Sequence, residues 1–216
     1  MRGVAGFCYL WYRQHLISAM TRTKSAWLWY GTGAAALVVT QIAVLHAYGQ
    51  PFLAATGQIL FWVNDPFSAN TSQQLTDWYS FSHIIHGFIF FGLLHVVAPH
   101  LPLGVRFLIA MGIEIAWELT ENTPAVIQHY RQQALAAGYN GDSILNSVSD
   151  VLMMSAGFFF ASRTRWQYVL VLAIGLEIFT ACTIRDNLTL NVLNMIAPAG
   201  WAPIKAIHYW QAGAKH

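Results

Sequence analysis

Charge is what this chain has least of. Asp, Glu, Lys and Arg make up 9% of its 216 residues, against roughly a quarter in an ordinary soluble domain. Long segments therefore lack the polar outer face that a water-soluble helix needs, which excludes a soluble helical globule. Cysteine is nearly absent too: Cys8 and Cys182 stand alone, with no CxxC pair. That excludes a disulfide framework and a dithiol redox motif, and Cys182, inside an apolar stretch, reads as a small packing residue. No basic cluster occurs beyond loop flanks, so nucleic-acid binding has no footprint. There is no HExxH, and Ser143 and Ser147 lack a GxSxG setting, which removes support for a zinc protease or a serine hydrolase. Internal repeats and low-complexity runs are missing as well.

What the chain does have is apolar length. Residues of the AVILMFWYC set make up 56% of it, in stretches near the roughly 20 residues that cross a bilayer. The expected fold is all-α, a polytopic transmembrane helical bundle of about five spans. They run from about Ala26 to His46, Trp78 to Ala98, Leu103 to Glu121, Ser143 to Ser162 and Trp166 to Arg185. Pro99 and Pro102 make a tight turn between the second and third spans, and Arg163-Thr164-Arg165 does the same between the fourth and fifth. The linker from Tyr48 to Asp77 has no Lys or Arg. The linker is expected to be partly helical, and its apolar piece, Pro51 to Val63, too short to span, to lie at the interface or against the bundle. Trp62, Trp78 and Tyr79 suit the headgroup level.

Residues 1–25 form a basic segment, with Arg2, Arg13, Arg22 and Lys24 and no acidic residue; residues 26–216 read as a single transmembrane domain. A cleaved signal peptide is not expected, since no small-residue cleavage pattern precedes the first long apolar run. Met20 offers an alternative start, with residues 1–19 either an artefact of the assigned start or a surface-lying amphipathic piece. Arg22 and Lys24, Arg106, and Arg163 with Arg165 all fall on one side of a five-span bundle. Basic residues mark the cytoplasmic side, so the expected orientation is N-in and C-out.

On that topology the polar residues gather in the outer half of four helices. Glu114, Glu118 and Glu121 follow i, i+4, i+7 and share one helical face. Asp142, Asn146 and Asp150 follow i, i+4, i+8 on another. His83 and His86 lie one to two turns below the outer end of the second span, while the inner halves of these helices are almost purely apolar. Charges inside a membrane are paired or line a wet cavity. Six carboxylates, counting Asp186, outnumber the basic groups Arg131 and Arg185, so protons or a cation must make up the difference. The expected site is an outward-opening polar pocket.

Each motif carries two readings. His83 and His86 at i, i+3 would share a metal ion or a carboxylate; a plainer account makes them hydrogen-bonded packing histidines. Glu114, Glu118 and Glu121 would act as cation ligands or acid/base groups, or form a buried network around Arg131 and Arg185. Asp142 or Ser143 would N-cap the fourth span, an account that does not reach Asp150, well inside the helix. Asn146 would be an oxygen ligand or interhelical glue. Arg185 would hold a phosphate or carboxylate headgroup, or pair with one of the acids. His46 and His95 read as interface or core histidines and Trp117 as packing.

Ser82-His83-Ile84-Ile85-His86-Gly87, Trp117-Glu118 through Glu121-Asn122-Thr123-Pro124, Tyr130-Arg131, Gly141-Asp142-Ser143 through Asn146-Ser147 to Asp150, and Arg185-Asp186-Asn187-Leu188-Thr189-Leu190-Asn191 together resemble a family of bacterial multi-pass membrane proteins, domain of unknown function 2585, the UPF0314 membrane proteins. The resemblance runs from about Trp78 to the end of the chain. It implies a multi-pass protein of the cell membrane and supplies no activity. A looser, fold-level similarity links the acidic and Asn residues to VanZ-like proteins.

Two functions follow as expectations. The first is an outward-facing cation or polar site acting on a lipid-linked or envelope substrate in the bacterial inner membrane. In it Glu114, Glu118 and Asp150 are the catalytic candidates; His83, His86, Glu118, Asp142, Asn146 and Asp150 are the ligands for a divalent metal; and Asn122, Arg131 and Arg185 contact substrate. Membrane lipid is the expected partner. The second is a non-enzymatic accessory or assembly protein whose polar core specifies helix packing. A small transporter fits less well, because polarity stops short of the inner leaflet.

Overall fold

The computed structural model describes residues 26–131, 138–197 and 201–213; the basic segment 1–25, with Cys8, lies outside the described residues. Among the described residues the regular structure is helical throughout: α1 (Ala26–Ala47), α2 (Ser80–Val97), α3 (Leu103–Glu121), α4 (Pro124–Tyr130), α5 (Ile144–Arg163), α6 (Trp166–Ile184), α7 (Leu188–Ile196) and α8 (Ala202–Ala212). Four of these, α1, α2, α5 and α6, are long and apolar enough to cross a membrane. The expected third span, α3, has comparable length at 19 residues. Arg106, Glu114, Glu118 and Glu121 set it apart in composition, and Glu114 and Glu118 are buried, turned into the bundle rather than outward.

The packing explains the order of the helices. α2 and α5 form the central pair, and α3 lies against both. One buried apolar layer joins them: Leu94 of α2, Ala110, Met111 and Ile115 of α3, and Val151, Met154 and Phe158 of α5, with Ala34, Leu37 and Val38 of α1 packed on its flank. A second layer joins Ile85 and Phe88 of α2 to Ala161 of α5, with Val169, Ala173 and Leu176 of α6 outside it. Large apolar side chains such as Val39 on α1 and Tyr168, Val171 and Ile178 on α6 face outward, as suits helices bathed in hydrocarbon.

Turn chemistry sets the boundaries. Pro102 precedes α3 and Pro124 opens α4, positions where a missing N–H costs nothing. Ser143 N-caps α5, its hydroxyl accepting from the Asn146 amide, which frees Asp142 for other bonds. At the end of α2 and the start of α3, Arg106 bonds His95 at 3.3 Å and lies over the Phe91 ring; Arg163 covers Phe159 at the far end of α5. These arginines sit at one end of the bundle and the linker 48–79 at the other.

That linker departs from expectation: it contains no helix. Pro51, Gly57, Pro66 and the Asn64-Asp65 pair interrupt it, and its backbone bonds are short turns, ties between its own two arms, and acceptors offered to the start of α5. Val63 donates to Thr76 and Leu75 to Leu60, while Ile144 and Leu145, at the start of α5, donate to the carbonyls of Pro51 and Phe52. The linker therefore satisfies the otherwise orphaned amides of α5. The tail, in contrast, folds into α7 and α8. Glu177 of α6 accepts from the Leu188 and Thr189 amides and from the Thr189 hydroxyl, so a carboxylate sits at the positive end of α7.

Candidate functional site

At the linker end of the bundle, α2, α3 and α5 bring their polar faces together. His83 and His86, one turn apart on α2, both address Glu114 of α3: His83 Nδ1 lies 2.6 Å from Oε1, and His86 Nδ1 lies 3.0 Å from Oε2. One buried carboxylate is thus clasped by two imidazoles. A turn further along α3, Glu118 accepts from the Ser147 hydroxyl at 2.6 Å through Oε2. Its Oε1 has no hydrogen bond, and His83 Nδ1 is 3.4 Å away. Asp150 of α5 accepts from Ser80 at 3.2 Å and has Oδ2 3.8 Å from His83 Nε2.

A second acidic group lies closer to the mouth. Asn122 and Asp142 bond reciprocally, the Asn122 amide donating to Oδ2 at 2.6 Å and accepting from the Asp142 N–H at 2.7 Å. Gly141, with φ of 91°, takes the left-handed conformation that lets the chain turn there. Tyr139 donates to Asp142 and Tyr130 to Glu121. Burial pushes the Asp142 carboxyl up to about 6, against the pull of Asn122 and Tyr139 toward the ordinary range. Asp77, near the end of the linker, is likewise raised by burial, opposed by the amides of Ser72 and Tyr79.

These groups face a cavity of about 440 Å³ whose lining includes His83, His86, Glu118, Glu121, Asp142, Asn146 and Asp150, roofed by linker residues such as Phe67, Ser72 and Gln73. No Lys or Arg lines it among the described residues, and every ion pair there joins a histidine to a carboxylate. Three sets of groups bring one donor atom each within 4.8 Å of one another: His83, His86 and Glu114; His83, Glu118 and Asp150; and Glu118, Glu121 and Asp142. Such sets would hold a cation.

The structure therefore brings together His83, His86, Glu114, Glu118, Glu121, Asn122, Asp142, Asn146 and Asp150. Asn146 uses its amide on the Gln74 carbonyl. Arg131 lies beside the cavity and serves its wall: it donates to the Tyr139 carbonyl and the Asn140 side chain, holding the loop that carries Tyr139. Arg185 is elsewhere. It ends α6 in the left-handed conformation, donates to the Trp210 carbonyl and lies over the Trp210 ring, and pairs with no acid among the described residues. Trp117 packs edge-on to His86 and also reaches the cavity. His46 and His95 stay outside it, against Phe52 and Phe91.

Sequence reasoning missed several partners. Gln41 of α1 donates to the Ser147 hydroxyl at 2.8 Å; its signal was a fully polar side chain in the middle of an apolar span. Ser80, Tyr130 and Tyr139 carry no comparable signal. Asp186, taken with the acids of the pocket, instead accepts from Tyr79, Asn191 and Gln211 and from the Asn187 N–H. Burial pushes it up to about 7, against those donors.

Helices long and apolar enough for a bilayer, enclosing a histidine–carboxylate cluster at one end, define an all-helical protein of membrane type. Within that class the chain belongs to the family described as "Protein of unknown function (DUF2585)", whose model matches residues 45–213. A UPF0314 protein of Sphingopyxis alaskensis is 49% identical over 191 residues, 88% of this chain and 97% of that one. UPF0314 proteins of Sinorhizobium fredii and Novosphingobium aromaticivorans are 45% and 41% identical, over 89% and 85% of this chain and 94% and 90% of theirs. No solved structure matches.

Proposed function

We propose that this protein is a five-span inner-membrane protein, N-in and C-out, whose cavity opens on the outer face and binds a divalent cation used on a lipid-linked or envelope substrate. One observation carries the reading: four carboxylates and two imidazoles line a cavity with no Lys or Arg among the described residues. Two imidazoles are too few for the carboxylates gathered there, and a cation would offset a desolvation cost of several kcal/mol per buried ion. His83, His86, Glu118, Asp142, Asn146 and Asp150 are the proposed ligand set, with Glu114, Glu118 and Asp150 as acid/base groups. Asn122 and Arg131 act on the substrate side, by holding the Asp142–Tyr139 wall. Arg185, turned onto Trp210, is left out. The position of Arg106, Arg163 and Arg165 at the end away from the cavity supports the orientation, and α3 counts as the fifth span because its acids face inward.

The test is elemental analysis of detergent-purified protein beside a Glu118→Gln/Asp150→Asn variant. Near-stoichiometric metal that disappears in the variant supports the reading. Metal in neither protein sinks it and leaves the second reading, a structural polar core of a non-enzymatic accessory protein. That alternative draws on the hydrogen bonds already made to Glu114, Asp142, Glu118 and Asp150 by side chains of the protein.

A further inference from the structure

The donor sets at the cavity floor are spread too widely for one ion. Ligand atoms around a small divalent cation lie about 2.0–2.2 Å from it, so any two of them lie at most about 4.4 Å apart. His83, Glu118 and Asp150 form one compact set and Glu118, Glu121 and Asp142 another, yet no set joins Glu121 or Asp142 to His83 or Asp150 among the described residues. Glu118 alone belongs to both. It is 1% exposed, Ser147 occupies its Oε2, and its Oε1 is buried with no hydrogen bond among the described residues, facing His83 Nδ1 at 3.4 Å. An oxygen in that state is costly unless something binds it.

His83 is oriented for the inner position. Glu114 holds its Nδ1 at 2.6 Å, as carboxylates hold metal-binding histidines, and its Nε2 is left 3.8 Å from Asp150 Oδ2. The outer position has three carboxylates and no nitrogen. Tyr130 and Tyr139 each donate to one of its acids, Glu121 and Asp142, fixing their planes.

We propose that the cavity floor is a two-cation centre bridged by Glu118, with a mixed nitrogen–oxygen position on His83 and Asp150 and an all-oxygen position on Glu121 and Asp142. The inner position suits a borderline ion such as Zn²⁺ and also admits Mn²⁺; the outer suits a hard one such as Mn²⁺ or Mg²⁺. Two such ions side by side clamp an oxyanion from both ends, so the ligand class is a phosphate ester or pyrophosphate. The inference rests on the cation-binding reading and deepens it.

The probe is Mn²⁺, titrated into metal-stripped full-length protein in detergent, with bound ion counted after desalting and examined by electron paramagnetic resonance. Two ions per chain, with the broadened signal of neighbouring Mn²⁺ centres, is the expected result. A Glu121→Gln/Asp142→Asn variant should hold one and give an isolated six-line signal. One ion per wild-type chain overturns the bridged pair while leaving the single-cation reading standing. None overturns both. The wild-type count decides even if the variant misfolds.

Discussion

Gly87 and Gly157 face one another's helices across the α2–α5 crossing, and neither has room for a methyl group. A Cβ on Gly87 would overlap the Met154 carbonyl and stand 2.5 Å from the Phe158 nitrogen; one on Gly157 would overlap the Ile84 carbonyl. The obstacle is backbone in both cases, which cannot swing aside as a side chain can. This approach, of the kind small residues permit between membrane helices, is what brings His83 within reach of Asp150.

Replacing either glycine with alanine should therefore force the two helices apart. The expected loss is about 1–3 kcal/mol or more, read as a lower melting temperature in detergent. Gly112, with nothing within 4 Å of its added Cβ, is the control, and Gly112→Ala should be neutral or mildly stabilising. Equal effects at all three positions would contradict the close crossing.

His83 and Glu114 should behave as a coupled pair. In metal-free protein, His83→Gln alone weakens the clasp on Glu114 and strips Glu118 and Asp150 of their nearest imidazole, so it should cost on the order of 3 kcal/mol. Adding Glu114→Gln should recover part of that loss, with a coupling of about 1–3 kcal/mol in a double-mutant cycle. Additive effects would mean that the 2.6 Å contact contributes nothing.

The acceptor at the start of α7 offers a local test. Glu177→Ala removes the partner of two amides and a hydroxyl and should cost about 1–2 kcal/mol. Hydrogen exchange at Leu188 and Thr189 should accelerate while α5 amides hold their protection. Unchanged exchange at those two residues would count against the cap.

Asp186 gives a pH dependence. Its carboxyl ordinarily loses its proton near 3.8 but holds it to about 7 when folded. Between those values the folded state binds more protons than the unfolded one, so stability should fall as pH rises through that window, full below it and level above. The whole drop is on the order of 4 kcal/mol. Melting temperature measured from pH 4 to 8 should slope downward, and Asp186→Asn should flatten this contribution. A wild-type profile parallel to that of the variant would rule it out.

Much of this was legible in the sequence. Apolar length placed α1, α2, α5 and α6 within a residue or two of their ends, because a bilayer-length helix is announced by composition alone. The i, i+4 spacing put Glu114 with Glu118, and Asn146 with Asp150, on facing surfaces, since helical periodicity is local information. Asp142 lies one residue before the Ser143 N-cap of α5, and its bonds with Asn122, not the helical period, place it beside them. The linker was misread as partly helical because isolated turns and long-range ties replace a helical ladder there: Pro51 and Phe52 serve amides of α5 that lie some ninety residues away. Arg185 could be read as an acid's partner for the same reason. Its tie to Trp210 depends on how α8 returns to the bundle, which no spacing encodes. Tyr130 reaches the cavity from the end of α4 and Tyr139 from the segment that Arg131 holds, placements that no spacing encodes.

Below Asp150, Glu114 and His86 the bundle closes at once. Val151, Met154 and Phe158 on α5 and Ala110 on α3 have essentially no accessible surface, and Phe91 and Phe107 lean on Phe158. The cluster is thus the bottom of a flask stoppered by aromatic and aliphatic side chains. A ligand of the kind proposed, entering past the linker, would have to leave by the same door, so it would load and unload without a path opening through the bundle.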